Sequence, residues 1–262
     1  MEILNQHGPD SSGRATAPRF AAAVATHKGR RDTNADAALI DEAAGLYAVA
    51  DGLGDAPRSR LAADKALAAV REVFAGSWGS HTSGARPVEE ACERMTLGVE
   101  YAHEQLYAPW WAPEERMRTT FAGVVVCGER LVIGHVGDSR VYLLRTSKGR
   151  LVQETEDHTV LGEALRRGAP HDVAAALKGA NKLTRVVGTW GTVEVRPFVR
   201  CWEPGDLVLL CTDGLSDWLD PEAMTEIALG APDLGAATQR LVDEAIARGG
   251  GDNTTALLVG HA

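Results

Sequence analysis

Residues 121–144 read FAGVVVCGERLVIGHVGDSRVYLL, three apolar runs (121–127, 131–136 and 141–144) joined by Gly128-Glu129-Arg130 and Gly137-Asp138. The runs are rich in Val, Leu and Ile, which suit a pleated, half-buried surface. A glycine at each junction lets the backbone reverse sharply. The stretch reads as an antiparallel meander. On its N-terminal side, 20–27, 37–40 and 45–50 read as strands. A helix then starts near Pro57, with Leu61, Ala62, Lys65, Ala66, Ala69, Val70 and Val73 at helical spacing, and a Gly/Ser-rich loop covers 76–84. Pro87 opens a second long helix whose face carries Ala91, Met95, Leu97, Val99, Ala102 and Leu106, and Trp110-Trp111-Ala112-Pro113 breaks it. On the C-terminal side, 159–167 reads as helix, 193–199 and 206–211 as strands, 223–229 and 234–248 as helices, and 254–259 as a last strand. Strand runs, then helices, then strand runs do not alternate as a parallel sheet requires, so the fold class is α+β, with antiparallel sheets covered by helices.

With 262 residues, 45% hydrophobic and 24% charged, the chain can bury one large core. Polar residues 1–18 read as a flexible leader without the apolar core of a signal peptide. Residues 19–262 read as one domain, with 160–182 as a possible flap. A net charge of −9 and the lack of a basic tract argue against nucleic acid and anionic membranes as partners. No stretch approaches the ~20 apolar residues that span a bilayer. Cys92, Cys127, Cys201 and Cys211 lack zinc-ligand spacing and read as free thiols of a reducing compartment. The expectation is a cytoplasmic protein, monomeric by default.

Acidic residues recur where strands begin or end. Asp36 opens a strand, Asp51-Gly52 ends one, Asp213-Gly214 ends another and Asp252 precedes the last, while Asp138 sits in a turn between two strands. Any one Asp-Gly pair is better explained as a turn. Five acids in such positions can converge on one rim, where divalent ions offset their mutual repulsion. With His and Cys absent from the set, magnesium or manganese is favoured over zinc.

These motifs, in order, resemble the type 2C metal-dependent protein phosphatases (the PPM family) in their bacterial form. The resemblance covers about residues 19–260 and is carried by Arg31-x-x-Asn34-x-Asp36, Val49-Ala50-Asp51-Gly52-Leu53-Gly54, Arg118-Thr119-Thr120, 136–142 with Gly137-Asp138-Ser139-Arg140, Asp157-His158-Thr159, 183–188, Thr212-Asp213-Gly214-Leu215-Ser216-Asp217 and Gly251-Asp252-Asn253-Thr254-Thr255. It implies a four-layer αββα sandwich of two antiparallel sheets flanked by helices. It also implies two Mn²⁺ or Mg²⁺ ions and hydrolysis of phosphoserine or phosphothreonine by a metal-activated water, with no covalent intermediate. Asp51 corresponds to the bridging ligand, the Gly52 carbonyl completes the first site, and Asp36, Asp213 and Asp252 correspond to the second. Asp138 with Asp213 matches a third-metal site, and Arg31 the phosphate-gripping arginine. The implied partners are proteins phosphorylated on Ser or Thr and the kinases that make them. The sequence departs from the family in carrying Ala35 where Glu is usual, Asp55 where Gly is usual, and Leu53 where many eukaryotic members have a His.

Two other readings compete. Gly137-Asp138-Ser139 invites a serine hydrolase, but a nucleophilic serine needs an oriented base, and Val141 occupies the last position of the elbow pattern Gly-x-Ser-x-Gly. A pseudophosphatase binding module would keep the fold and lose the ligand acids, all of which are present here. Trp110 and Trp111 read as packing residues, His158 as a helix-capping residue with a lesser claim to catalysis, Thr119 and Thr120 as strand formers, and Asp217 as a helix cap or a water-bridged neighbour of the metals.

Overall fold

In the computed structural model, which describes residues 20–54, 58–75, 87–107, 112 and 116–261, the strands form two sheets with every pairing antiparallel. The elements run β1 (Phe20–His27), β2 (Asp36–Asp41), β3 (Leu46–Leu53), α1 (Arg58–Val73), α2 (Val88–Leu106), β4 (Arg118–Thr119), β5 (Phe121–Cys127), β6 (Arg130–Val136), β7 (Arg140–Arg145) and β8 (Arg150–Gln153). They continue with α3 (Val160–Arg166), α4 (His171–Ala175), β9 (Phe198–Cys201), β10 (Leu207–Cys211), α5 (Asp213–Ser216), α6 (Pro221–Gly230), α7 (Leu234–Arg248) and β11 (Thr254–His261). One sheet has the order β1-β11-β10-β7-β8; the other runs β2-β3-β5-β6-β9, with β4 added on β3.

Burial explains the layering. All seven residues of β5 are buried because both faces of that strand are covered. Ala122, Val124 and Val126 point between the sheets, where they meet Tyr47, Ile133, Leu143, Trp202, Leu210 and Leu257. Phe121, Val125 and Cys127 point the other way, against α1 and α2 through Ala66, Val70, Met95 and Val99. The opposite outer face is covered by α6 and α7, whose Met224, Leu241, Val242 and Ala245 pack on Tyr142, Leu209 and Leu258. The αββα sandwich and the α+β class expected from sequence are what the chain forms. Among the described residues no helix is long and apolar enough to cross a membrane, and all four cysteines are free.

Four expectations need correction. The stretch 121–144 is not a meander within one sheet: β5 and β6 form a hairpin, but β7 leaves it and pairs with β10 and β8 in the other sheet. The Gly137-Asp138 turn is thus a corner between the layers. The strand expected over 193–199 forms only at Phe198–Cys201; Val193 and Val195 are buried in the helix-side core. Leu61 and Leu97, assigned to buried helix faces, are 46% and 55% exposed. The buried face of α2 instead runs through Ala91, Met95, Gly98, Val99, Ala102 and Leu106. The short β8 had no counterpart in the sequence reading. The 1–18 leader, Asp55, the 76–84 loop and the Trp110-Trp111 pair lie outside the described residues.

The corner depends on Gly137. Its φ is +107°, and a Cβ there would lie 2.7 Å from Thr120 Cγ2 and 3.3 Å from Thr120 Cα. Thr120 cannot rotate away freely, because its hydroxyl bonds both Ser139 and the Asp51 backbone. Gly137→Ala should therefore cost about 3 kcal/mol in a urea melt, combining backbone strain with overpacking. Gly149, at φ +56° with nothing within 4 Å of its would-be Cβ, is the control, and Gly149→Ala should cost about 1 kcal/mol.

Candidate metal centre

The strand register brings the sequence-distant acids to one end of the sandwich. Asp36 and Asp51 are direct partners across β2 and β3. Cys211, the last residue of β10, pairs with Arg140 on one side and Ala256 on the other. That places Asp213, just past β10, beside the Asp138 corner and beside Asp252, which precedes β11. Asp36 and Asp51 belong to one sheet and Asp213 and Asp252 to the other, with Asp138 on the crossing between them.

Asp36 is 1% exposed. Its Oδ2 accepts from the Thr212 and Thr255 hydroxyls, each at 2.7 Å. Its Oδ1 is buried without a hydrogen-bond partner, as is Asp138 Oδ1. Burial pushes the Asp36 carboxyl up to about 6 against the opposing pull of those two hydroxyls, and the Asp252 charge adds to the rise. Burial also lifts Asp51 well above the usual carboxylate range, reinforced by the charges of Asp36, Asp213, Asp252 and Asp138. Asp213 is raised by burial and then by Asp138, Asp217, Asp252 and Asp36. Asp138 rises to about 6, first through burial and then through Asp157. The structure therefore brings the other four predicted acids within electrostatic reach of Asp51. As placed, no group of three or more His, Cys, Asp or Glu among the described residues closes into a set that could hold a metal ion.

The backbone around the acids is held by hydroxyls. Thr119 Oγ1 donates to the Asp51 carbonyl at 2.7 Å, and the Asp51 N–H donates to Thr120 Oγ1 at 2.8 Å. Thr120 Oγ1 also lies 2.7 Å from Ser139 Oγ, which ties the corner to β3. Gly52 is required by close approach: a Cβ would fall 1.8 Å from the Ser59 carbonyl oxygen. Arg31 is exposed and donates to Asp252 Oδ2 at 2.7 Å. With side chains 61% and 41% exposed, that ion pair is cheap to break.

The segment after β8 braces the corner. Arg140 makes a bidentate pair with Asp157, Nε to Oδ1 at 2.9 Å and Nη2 to Oδ2 at 2.6 Å. The Gly137 N–H donates to His158 Nδ1 at 3.1 Å, and the His158 N–H donates to the Gly137 carbonyl at 2.9 Å. Burial, with His135 stacked beside it, pushes the His158 imidazole down to about 3, so it is neutral and able to accept. His158 thus holds the corner rather than capping α3, whose N-cap is Thr159, accepting from the Gly162 N–H. Asp217 closes α5, its N–H bonded to the Asp213 carbonyl. The serine-hydrolase reading fails on Ser139, which is 1% exposed and bonded to Thr120 rather than to a histidine.

The sequence reading missed the hydroxyls of Thr119, Thr120, Thr212 and Thr255 and the amide of Asn253. A threonine flanks or follows three of the acid motifs, which was the available sign.

The model of the protein phosphatase 2C family matches residues 25–247. The serine/threonine phosphatase stp of Listeria welshimeri is 32% identical over 217 residues, 82% of this chain and 83% of that protein. Among solved structures, the S. agalactiae serine/threonine phosphatase superposes with a TM-score of 0.84 at 26% identity, covering 93% of this chain and 100% of that one. The catalytic domain of the serine/threonine phosphatase PstP, solved in complex with 2 manganese ions, gives 0.73 at 28% identity, covering 92% and 97%. The PPM phosphatase MsPP of Mycobacterium smegmatis, in complex with cacodylate, gives 0.74 at 31% identity, covering 92% and 98%. With the acids converging on one rim and the match spanning most of the chain, the protein belongs to the protein phosphatase 2C family and is a metal-dependent protein serine/threonine phosphatase.

Proposed function

We propose that Asp51, the Gly52 carbonyl, Asp36, Asp213 and Asp252 hold two Mn²⁺ or Mg²⁺ ions, and that Asp138 with Asp213 holds a third. The observation that carries this reading is the strand register, which pairs Asp36 with Asp51 and sets the end of β10 between the Asp138 corner and the start of β11; the Asp51 carboxyl, raised first by burial and then by the charges of Asp36, Asp213, Asp252 and Asp138, agrees with it. The donor set is all oxygen, which suits hard divalent cations. The buried, unpartnered Oδ1 atoms of Asp36 and Asp138 fit the same purpose, since such atoms are costly unless a ligand satisfies them. Side-chain rotation would have to complete the ligand sets from the positions described above. Bound there, divalent ions offset the carboxylate repulsion, polarise a phosphoryl oxygen and lower the pKa of a water.

The chain's own groups do the rest. Arg31 leaves Asp252 and offers its planar fork to the phosphate of the substrate, where two parallel hydrogen bonds fix orientation. Gly52, with no side chain, lets the Ser59 carbonyl pack against it, and its own carbonyl is the backbone oxygen assigned to the first ion. Leu53 offers no proton, so the leaving serine or threonine oxygen takes one from solvent. The substrates are phosphoproteins made by serine/threonine kinases of the same cell, selected in part by the 160–182 flap that follows the Asp157-His158 brace.

Asp213→Asn should lower kcat/KM on an aryl phosphate by more than about a hundredfold with the cooperative thermal melt preserved. Wild-type turnover in that variant would reject the role given to Asp213. Removing divalent ions with EDTA should abolish turnover, and manganese should restore it; full activity in EDTA would reject the metal reading. A pH effect follows from the raised carboxyls. An acid raised from its unfolded value to about 6 stabilises the fold below that unfolded value, and the contribution is lost as pH rises through about 6. In EDTA-treated protein, Asp138→Asn should therefore stabilise on the order of 2 kcal/mol at pH 7.5, roughly half that at pH 5 and little below about pH 3.8, read from urea melts. Destabilisation at pH 7.5 would contradict the electrostatic picture of the corner.

A further inference from the structure

Arg31 sits in the middle of a segment, residues 28–34, that reads Lys-Gly-Arg-Arg-Asp-Thr-Asn and has no apolar side chain. Most of it is exposed, so no hydrophobic contact can fix its path. One buried side chain grips it. Asn253, 5% exposed, accepts the Ala35 N–H on Oδ1 at 2.7 Å and donates from Nδ2 to the Lys28 and Thr33 carbonyls, each at 2.9 Å. The two ends of the segment are thus tied to a single amide. All three bonds use the carboxamide in one orientation, because the flipped form would set an NH₂ against the Ala35 N–H and an oxygen against two carbonyls. Gly29, at φ +59°, presses the segment onto the same strand approach; a Cβ there would fall 2.1 Å from the Asp252 carbonyl oxygen. Asp252, the residue before Asn253, is also the one Arg31 pairs with.

We propose that Asn253 is a positioning residue that sets the path of residues 28–34 and so aims Arg31 at the substrate phosphate. The inference rests on the reading of Arg31 as the phosphate-binding group. Asn253 touches neither substrate nor the reacting atoms; its effect passes through the arginine. Ala35, whose N–H meets the amide, has no side-chain hydrogen-bonding group, so at that position the backbone alone makes the contact.

The test is a double-mutant cycle on the full manganese-loaded chain: wild type, Arg31→Ala, Asn253→Ala and the double variant, with inorganic phosphate as the inhibitor of aryl phosphate hydrolysis. Asn253→Asp is the second variant, since it keeps the shape and the Ala35 contact and loses both donors. Arg31→Ala should weaken phosphate inhibition by about tenfold, and Asn253→Ala and Asn253→Asp by a comparable factor. The double variant should be no weaker than Arg31→Ala alone. The manganese concentration for half-maximal activity should stay within about twofold in Asn253→Ala. Additive losses in the double variant would overturn the proposal while leaving Arg31 its role, as would unchanged phosphate inhibition in both Asn253 variants. A large shift in the manganese requirement would overturn it too, by assigning Asn253 to Asp252 instead. Unchanged phosphate inhibition in Arg31→Ala would instead reject the underlying reading of the arginine.

Discussion

Like charges held together under burial are the constraint around which this molecule is arranged. Asp36, Asp51, Asp138 and Asp213 all have their carboxyls raised first by burial and then by the charge of neighbouring aspartates. Isolated in an apolar interior, such groups would unfold a protein of ordinary stability. The fold tolerates them because their backbones are over-determined. Thr119 and Thr120 fix Asp51, Thr212 and Thr255 fix Asp36, and the Arg140–Asp157 fork with His158 fixes the corner that carries Asp138. The hydrophobic core lies on either side and between the sheets, and supplies the stability that this end of the sandwich lacks.

The strands were legible because both faces of each sheet are covered. A run such as 121–127 is buried along its whole length, so it appears in the sequence as continuous apolar residues bounded by glycine. Which sheet a strand joins was not legible. The turn at Gly137 looks like any hairpin connection, and only long-range pairing of β7 with β10 shows that it is a corner. Val193 and Val195 misled for a related reason: they are apolar and alternate, yet they bury themselves under helices without a ladder partner.

The site divided in the same way. Carboxylates at strand ends stand out because an acid beside a glycine at the end of an apolar run needs a reason. Hydroxyls and amides that support them do not stand out. Threonine is also a good strand former, so Thr119, Thr120, Thr212 and Thr255 had an adequate explanation already. Asn253 had none of its own, and its three bonds reach to positions about 220 residues earlier in the chain.

The allocation of acids between layers has a mechanical meaning. Asp36 and Asp51 ride on one sheet, Asp213 and Asp252 on the other, and the filling between the sheets acts as a spacer that fixes how far apart the two halves stand. Tyr47, Ile133, Leu143, Trp202 and Leu257 make up part of that spacer. A change of volume at any of them would shift one half of the proposed ligand set against the other without touching a single acid. On that proposal, ion affinity becomes a readout of hydrocarbon packing, and variation in the apolar filling is a route by which a metal requirement could drift while the charged residues stay fixed.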